Sequence, residues 1–589
     1  MNTSQKLAKL RSLMQQHHLD FYVVPGADPH QNEYVSAHWQ RRSFISGFTG
    51  SNGDAIIGID EAYLFTDGRY TLQAKLELDP KCFTLFEYPQ GQASSLNAFL
   101  VKHAVNKRVG VDPSTLTSAD ANKLIVAFAS INAELVFTSD NLIDAFWEER
   151  PAINHAPAFA HPLNFSGVDV SSKLKALRAY MQEESLQYVA LNEPTIIAWL
   201  FNIRGHDAAD TPIIFSYALV SLTDAQIYID EQSWTPDFKE YCQDSHLQLL
   251  PYAQFYPDLA LLKDTTVGLD IEANALMGEA LRHNKIKNVR LPMTLARACK
   301  NQQELQGIID AHIEDAVALV RFFAWLENHW QGQTEVSASD KLFEFRKQGP
   351  NFFSLSFPTI AGFKDHGAII HYRAEPKTAH KLGNDGLFLL DSGGQYVNGT
   401  TDVTRTLHLG TPTAFEKECY TLVLKGHLAL GNTPFPHGTR GEQLDGLARQ
   451  FLWQQGYNYA HGTGHGVGAF LNVHEGPHRI STGATTTALM PNMITSNEPG
   501  VYFEGQFGIR IENLCYVKLA DIESKTGHTF YVLENLTLVP YARHLIDVAR
   551  LSADEINWVN AYHQRIFDTL APRLDAETKA WLAGATKAL

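Results

Sequence analysis

Five side chains with metal-ligating chemistry fall in the C-terminal half of the chain, in the order Asp391, Asp402, His465, Glu498 and Glu512. Four carboxylates and one imidazole form a hard, oxygen-rich donor set, of the kind that holds two divalent ions with a water between them. The carboxylates contribute about −4 and two such ions return about +4, so the filled site is near neutral and tolerates a hydroxide. A centre of this type points to hydrolysis by a metal-bound hydroxide, since the ions lower the pKa of the water they hold. Oxygen-rich ligation favours manganese, or a similarly hard ion, over a structural zinc.

The segments around these residues say how they are positioned. The apolar run 387–390 predicts a buried strand that ends on Asp391 and turns at Ser392-Gly393-Gly394. Asn398-Gly399 reads as a hairpin dipeptide, and the β-rich run 400–406 carries Asp402, so two paired strands direct both aspartates to one point. Two anions that close raise each other's pKa unless a cation lies between them. The segment 461–468, HGTGHGVG, has histidines four apart, the spacing of a metal-binding helix. Its glycines oppose a helix and the glutamate of HExxH is absent, so it is read as a glycine-rich loop that brings backbone and imidazole close to a metal or substrate. A strand through Met493-Ile494 ends at Glu498, before Pro499-Gly500. The run 508–513 alternates and predicts Arg510 and Glu512 on one strand face, with Arg510 as the outer cation that fixes a ligand carboxylate.

Upstream, an internal repeat organises the chain. Residues 6–24, KLAKLRSLMQQHHLDFYVV, align without a gap to 173–191, KLKALRAYMQEESLQYVAL. Leu7, Leu10, Met14 and Leu19 match Leu174, Leu177, Met181 and Leu186, a helical spacing that leads into a short β-rich run. Strand-like runs separated by turns follow each copy, which predicts two mixed α/β domains with helices over a sheet. The proline-bearing stretch 150–167 reads as the linker between them. The expected division is a first domain over 1–160, a second over 161–295, a catalytic domain over 296–540 and a helical extension over 541–589. A long apolar helical pattern over 304–330 opens the catalytic domain, and Trp558 and Trp581 of the extension read as packing or subunit-contact residues.

Composition narrows the class. With 589 residues the chain is too long for one core, and 44% hydrophobic with 19% charged residues describes an ordinary globular protein. A net charge of −16 argues against a nucleic-acid partner. The five cysteines, at 82, 242, 299, 419 and 515, include no CxxC pair and read as thiols of a reducing compartment. No apolar stretch approaches the ~20 residues of a membrane span, and the N-terminus lacks the apolar core of a leader. A cytoplasmic location is the expectation.

The motifs, in this order, resemble the pita-bread metallopeptidases, and within them the Xaa-Pro aminopeptidase family of the long three-domain type. The likeness runs over essentially the whole length, through residues 42–51 (RSFISGFTGS), 66–70 (TDGRY), 199–205 (WLFNIRG), 461–468, 472–477 (NVHEGP) and 498–500 (EPG). It implies an α/β chain with two creatinase-like N-terminal domains, a pita-bread catalytic domain and a C-terminal helical extension. It also implies that Asp391, Asp402, His465, Glu498 and Glu512 hold two manganese ions, with Asp402 and Glu512 bridging. By the same resemblance His371, His461 and His474 shuttle protons and bond substrate together with His465, Glu498 takes part in catalysis, and Arg69 contacts bound peptide. The implied activity is removal of the N-terminal residue from peptides with proline second, by a homodimer joined through its C-terminal helices. Two alternatives remain open here: a prolidase restricted to dipeptides, and a pita-bread domain that has lost catalysis and serves as a binding module.

Overall fold

The helix–strand repeat is built twice, and each copy seeds a sheet. The first comprises α1 (Thr3–Gln16) and β1 (Phe21–Val24), the second α2 (Val170–Glu183) and, further on in the sheet numbering, β7 (Tyr188–Leu191). Asn2 caps α1 through the Gln5 amide, and Asp169 caps α2 through the Ser172 amide. Leu7, Leu10 and Met14 are buried from one helix, and Leu174, Leu177 and Met181 from the other. Both helices end alike. The chain passes through positive φ at His18 (56°) and Ser185 (55°), and the next amide returns to the last turn, Leu19 N to Met14 O at 2.8 Å and Leu186 N to Met181 O at 2.7 Å.

The computed structural model describes residues 1–88 and 96–589 and divides into two units, Met1–Thr294 and Leu295–Leu589. In the first unit, β2 (Asp54–Gly58), β3 (Ala62–Asp67), β4 (Thr84–Tyr88), β5 (Arg108–Val111) and β6 (Glu134–Phe137) join β1 in the order β4-β3-β2-β1-β5-β6. The second copy uses β8 (Ser216–Ser221), β9 (Ala225–Ile229), β10 (Gln248–Pro251), β11 (Thr266–Asp270) and β12 (Lys285–Val289) in the matching order β10-β9-β8-β7-β11-β12. Even the packing under the central strands repeats. A Cβ on Gly110 would meet Leu19 Cδ1 at 2.4 Å and one on Gly268 would meet Leu186 Cδ1 at 2.8 Å, so only glycine lets the leucine sit there. The stretch read as a linker carries the short strand Phe159–Ala160 and the helix Leu163–Ser166 and is otherwise largely irregular.

In the second unit α3 (Gln302–His329) starts at a capping box made by Asn301 and Glu304, and α4 (Glu335–Arg346) follows it. β13 (Ile360–Phe363), β14 (Leu387–Ser392) and β15 (Val403–His408) form an antiparallel sheet with β14 central. Two helices, α5 (Ala414–Asn432) and α6 (Gly441–Trp453), pack on each other. β16 (Ile494–Asn497), β17 (Gly500–Phe503), β18 (Phe507–Arg510), β19 (Asn513–Leu519) and β20 (Phe530–Asn535) complete the strands that matter for the site. β19 lies between β16 and β20, whereas β18 pairs with β17.

One apolar cluster joins Phe322 and Leu326 of α3, Leu387, Phe388 and Leu390 of β14, and Ile509 of β18. Val559, Ile566 and Leu570 of α7 (Ala553–Leu570) and Leu582 of α8 (Ala576–Ala585) belong to the same cluster, so the C-terminal helices are part of this core. Trp581 packs against it and donates its indole N–H to Glu327, while Trp558 is 38% exposed. Among the described residues no helix is long and apolar enough to cross a membrane.

Two local expectations need correcting. The hairpin after β14 turns at Val397 and Asn398, because Tyr396 pairs with Gly399. Gly399 begins the returning strand, where a Cβ would lie 2.9 Å from Ile308 Cα of α3; the glycine serves close packing, not turn geometry. Arg510 and Glu512 do not share one strand either. β18 ends on Arg510, β19 begins on Asn513, and Glu512 occupies the two-residue step between them.

Candidate metal centre

β14 and β15 run antiparallel with Asp391 opposite Thr404, and Asp402 immediately precedes β15, so the strand pair brings the two aspartates to one end. A buried ion pair fixes that end. Asp315 of α3 accepts from Arg346 Nε of α4 at 2.7 Å, from Tyr396 OH at 2.8 Å and from Thr401 Oγ1 at 3.0 Å. Arg346 also donates to Ser392 Oγ at 3.1 Å, so the residues next to Asp391 and Asp402 hang from the same pair. Such a pair earns specificity of position rather than stability, since its desolvation cost offsets much of its attraction.

The glycine-rich segment forms no helix. Gly464-His465 is a short strand paired with Arg479-Ile480. A Cβ on Gly464 would lie 2.1 Å from Ser496 O, and one on Gly466 would lie 2.0 Å from Glu475 O. Both glycines therefore let His465 be pressed between β16 and the segment that bears His474. His465 N donates to Ser496 Oγ at 2.9 Å, and Glu498 N donates to Thr463 O at 2.8 Å. From below, Arg449 of α6 pairs with Asp445 at 2.7 Å and donates to the His461 carbonyl at 2.7 Å, while Thr463 Oγ1 donates to Asp445 at 2.6 Å.

The expected ligand side chains converge. Donor atoms of Asp402, His465 and Glu512 all lie within 4.8 Å of one another. His465 Nε2 is 3.5 Å from Asp402 Oδ2 and 3.6 Å from Glu498 Oε1. Glu512, 1% exposed, accepts from Thr404 Oγ1 at 2.7 Å. Asp391 Oδ2 accepts from Arg510 Nη2 at 2.7 Å and Nε at 3.2 Å. Arg510 thus grips one carboxylate of the expected set, Asp391.

Electrostatics supply the test of fit. Burial, then repulsion from Asp391 and Glu498, pushes the Asp402 carboxyl well above its ordinary range. Burial followed by Asp402, Asp391 and Glu498 does the same to Glu512. Burial raises Glu498, against the pull of His465 and Arg510. Asp391 Oδ1 and Asp402 Oδ1 are buried with no hydrogen-bond partner. Unpartnered carboxylate oxygens in a crowd of anions are costly as they stand and are what cation binding requires. The donor set fits divalent ions.

The expected histidines surround this cluster to different degrees. The His474 ring meets the His465 ring edge-on with centroids 4.2 Å apart. His461 Nδ1 is 3.9 Å from Glu498 Oε2, and its Nε2 is 2.8 Å from Tyr502 OH. His371 follows Ile370, whose carbonyl accepts from Arg510 Nη2 at 3.4 Å. Arg69 belongs to the N-terminal unit, where it grips Asp67 through Nε and Nη2, at 3.0 and 2.8 Å. Burial lowers the affinity of its guanidinium for the proton, but the Asp67 hydrogen bonds outweigh this and the net shift is upward.

Sequence reasoning missed several residues. Tyr502 donates to or accepts from His461 and accepts from Arg510 Nη1 at 2.7 Å, joining Asp391 to His461 through one guanidinium and one phenol. Burial raises its hydroxyl to about 12. Asp445, Arg449 and Thr404 are likewise supports; an Asp and an Arg four apart on a helix are an ordinary surface pattern, so nothing in the sequence marked them. Glu475 was read only as part of a motif, yet its carboxylate takes Lys300 Nζ at 2.5 Å and Arg297 Nε at 3.2 Å, fully buried beside His474.

Comparison with known proteins places this geometry. The model of metallopeptidase family M24 matches residues 306–518, its C-terminal region residues 529–589, and creatinase/prolidase N-terminal domains residues 6–145 and 149–304. A probable Xaa-Pro aminopeptidase P of Laccaria bicolor is 40% identical, over 99% of this chain and 93% of the relative. Aminopeptidase P1 of Lotus japonicus is 38% identical over 99% of both. The crystal structure of X-prolyl aminopeptidase from Caenorhabditis elegans, described as a cytosolic enzyme with a di-nuclear active site, superposes with a TM-score of 0.96 at 33% identity over 100% of both chains. An Xaa-Pro dipeptidase from Bacillus anthracis shares the fold alone, over 63% of this chain at 21% identity and a TM-score of 0.51. With relatives this similar along its full length, the chain belongs to metallopeptidase family M24 and has the mixed α/β architecture of creatinase-type N-terminal domains, a pita-bread peptidase domain and a C-terminal helical region.

Proposed function

We propose that this metallopeptidase is an Xaa-Pro aminopeptidase, which removes the N-terminal residue from peptides whose second residue is proline. The observation that carries the reading is the buried crowd of Asp391, Asp402, His465, Glu498 and Glu512, two of whose carboxylate oxygens lack any partner. Whole-length likeness to relatives named for this activity supports the specificity. The five side chains would hold two divalent ions, manganese by the hardness of the donors, and Asp402 and Glu512 would serve both. When bound, the ions supply an activated water and polarise the scissile carbonyl.

The chain's own groups do the rest. Arg510 holds Asp391 in its ionised form and orientation. His371 or His474 donates a hydrogen bond to the developing oxyanion. The leaving proline nitrogen has no hydrogen before cleavage, so a proton must be delivered to it; Glu498, or His461 beside it, carries that proton. His465 and Arg69 are assigned to substrate contact along with these histidines. The four expected segments, 1–160, 161–295, 296–540 and 541–589, remain the domain division of this reading. The enzyme is proposed to be cytoplasmic, as its Caenorhabditis elegans neighbour is described, and homodimeric through the helices after 541.

Manganese-loaded protein incubated with Arg-Pro-Pro and with Arg-Ala-Ala tests the assignment. Release of arginine from the first and not the second is expected; equal release from both overturns the proline specificity. Cleavage of Arg-Pro with no cleavage of Arg-Pro-Pro would make the chain a prolidase instead. The binding-module alternative requires a chain that neither binds metal nor turns over peptide, and it is disfavoured by the intact donor set.

A further inference from the structure

A second histidine–carboxylate cluster, made of none of the five candidate ligands, lies in the C-terminal unit. Asp365 and His366 sit on the 3-10 turn Lys364–Ala368 after β13, and His380 on the connection leading to β14. Their donor atoms all fall within 4.8 Å of one another. His380 Nε2 is 2.9 Å from Asp365 Oδ1, and the His366 and His380 rings stack with centroids 3.6 Å apart.

What distinguishes this cluster from a surface ion pair is the group behind it. Glu335, at the start of α4, is 0% exposed. Its carboxylate accepts from Phe363 N at 2.7 Å, His380 N at 2.8 Å and Tyr372 OH at 2.9 Å. His366 Nδ1 lies 2.9 and 3.0 Å from its two oxygens. A carboxylate so occupied has no capacity left to bind an ion itself. With Nδ1 hydrogen-bonded to this carboxylate, Nε2 is the atom of the His366 ring left to meet an ion. A buried carboxylate that fixes the tautomer and tilt of an imidazole is the outer partner found behind metal-ligating histidines.

We propose that Asp365, His366 and His380 form a further metal site, for zinc or a similar borderline divalent ion. Two imidazoles and one carboxylate suit zinc better than the oxygen-rich centre does, with water completing a tetrahedron. Donors around a tetrahedral zinc with bonds of about 2.0–2.1 Å stand roughly 3.4 Å apart, so the side chains must draw in and the stacked rings splay. His380 and Asp365, whose side chains are 38% and 46% exposed, have the freedom to do so, while His366 at 15% is the fixed member. The turn they occupy is locked to β18, since a Cβ on Gly508 would lie 1.8 Å from Gly367 O. It also leads directly to His371, so an ion there ties down the approach to that residue.

The proposal does not depend on the peptide specificity, and metal content tests it. Full-length chains are saturated with Zn2+ by dialysis and their zinc is counted, for wild type, His366→Ala, His380→Ala, and Asp402→Asn/Glu512→Gln with and without His380→Ala. Wild type should hold one equivalent more than either histidine variant, or hold it at least tenfold more tightly. The Asp402→Asn/Glu512→Gln chain should keep one zinc that the added His380→Ala removes. Unchanged stoichiometry and affinity in both histidine variants overturns the site. Should His380→Ala not fold, His380→Gln replaces it, and anomalous scattering from zinc-soaked wild-type crystals decides: a peak between His366 and His380 is expected, and its absence overturns the proposal.

Discussion

Glu475 stands next to His474 yet touches no ligand, and its removal tests whether the segment is held by charge. Its carboxylate is 3% exposed and bridges Lys300 Nζ at 2.5 Å and Arg297 Nε at 3.2 Å, with the lysine side chain 0% exposed. Glu475→Ala strands two buried cations, and loss of one partner of a buried pair costs about 3–5 kcal/mol. At roughly 2 °C per kcal/mol for a unit of this size, melting should fall by about 6–10 °C. Scanning calorimetry of the metal-loaded protein measures this. A double variant, Lys300→Met/Glu475→Gln, removes one cation and leaves an amide oxygen for Arg297. It should recover at least about 2 kcal/mol relative to the sum of the two single changes, a coupling within the range for contacting groups. The carbonyl of Glu475 sits against Gly466 and its amide donates to Gly466 O at 2.8 Å, so peptide turnover should fall along with stability. A melting point within about 2 °C of wild type for Glu475→Ala, about 1 kcal/mol on the same scale, would refute the idea that this triad braces the segment.

Three further outcomes are expected. Asp402→Ala should remove stoichiometric manganese and lower turnover of a proline-second peptide by about 10³-fold or more, since an activating metal contributes several kcal/mol; retention of both metal and turnover would end the metal-centre reading. Tyr502→Phe removes the hydroxyl that joins His461 Nε2 to Arg510 Nη1, so kcat should drop about 10–100-fold, in keeping with roughly 1–3 kcal/mol for a lost buried hydrogen-bonding group, while metal content stays unchanged. His563, 0% exposed and accepting from Tyr541 N at 3.1 Å, is lowered to about 3 by burial and by Arg405. The unfolded chain binds that proton more readily, so the stability His563 contributes is complete above about pH 6.5 and is lost as pH falls below it, by about 1.4 kcal/mol at pH 5.5. His563→Gln, whose oxygen still accepts from Tyr541, should flatten the melting-temperature loss between pH 7.5 and 5.5; an unchanged slope would contradict the assignment.

The repeat, a buried strand through Asp391, a long helix over 304–330 and five candidate donors were legible in the chain itself, because periodicity, turn residues and donor chemistry are local properties. The sequence also excluded a metal-binding helix at His461 and His465, since glycine at alternate positions resists one. Tertiary structure decided what depends on partners far along the chain. Gly399, Gly464 and Gly466 looked like turn or loop residues, yet each is required by another backbone within van der Waals reach. Arg510 read as a cation for a carboxylate that the sequence did not single out, and packing selects Asp391, 119 positions away. Tyr502 and Arg449 carry no signature, and Glu475 shows only as one letter of a motif, because a support is defined by what it touches once packed. Identity of the donors is written in residue type; their convergence, and the unpartnered carboxylate oxygens that call for cations, come from burial that no single segment can specify.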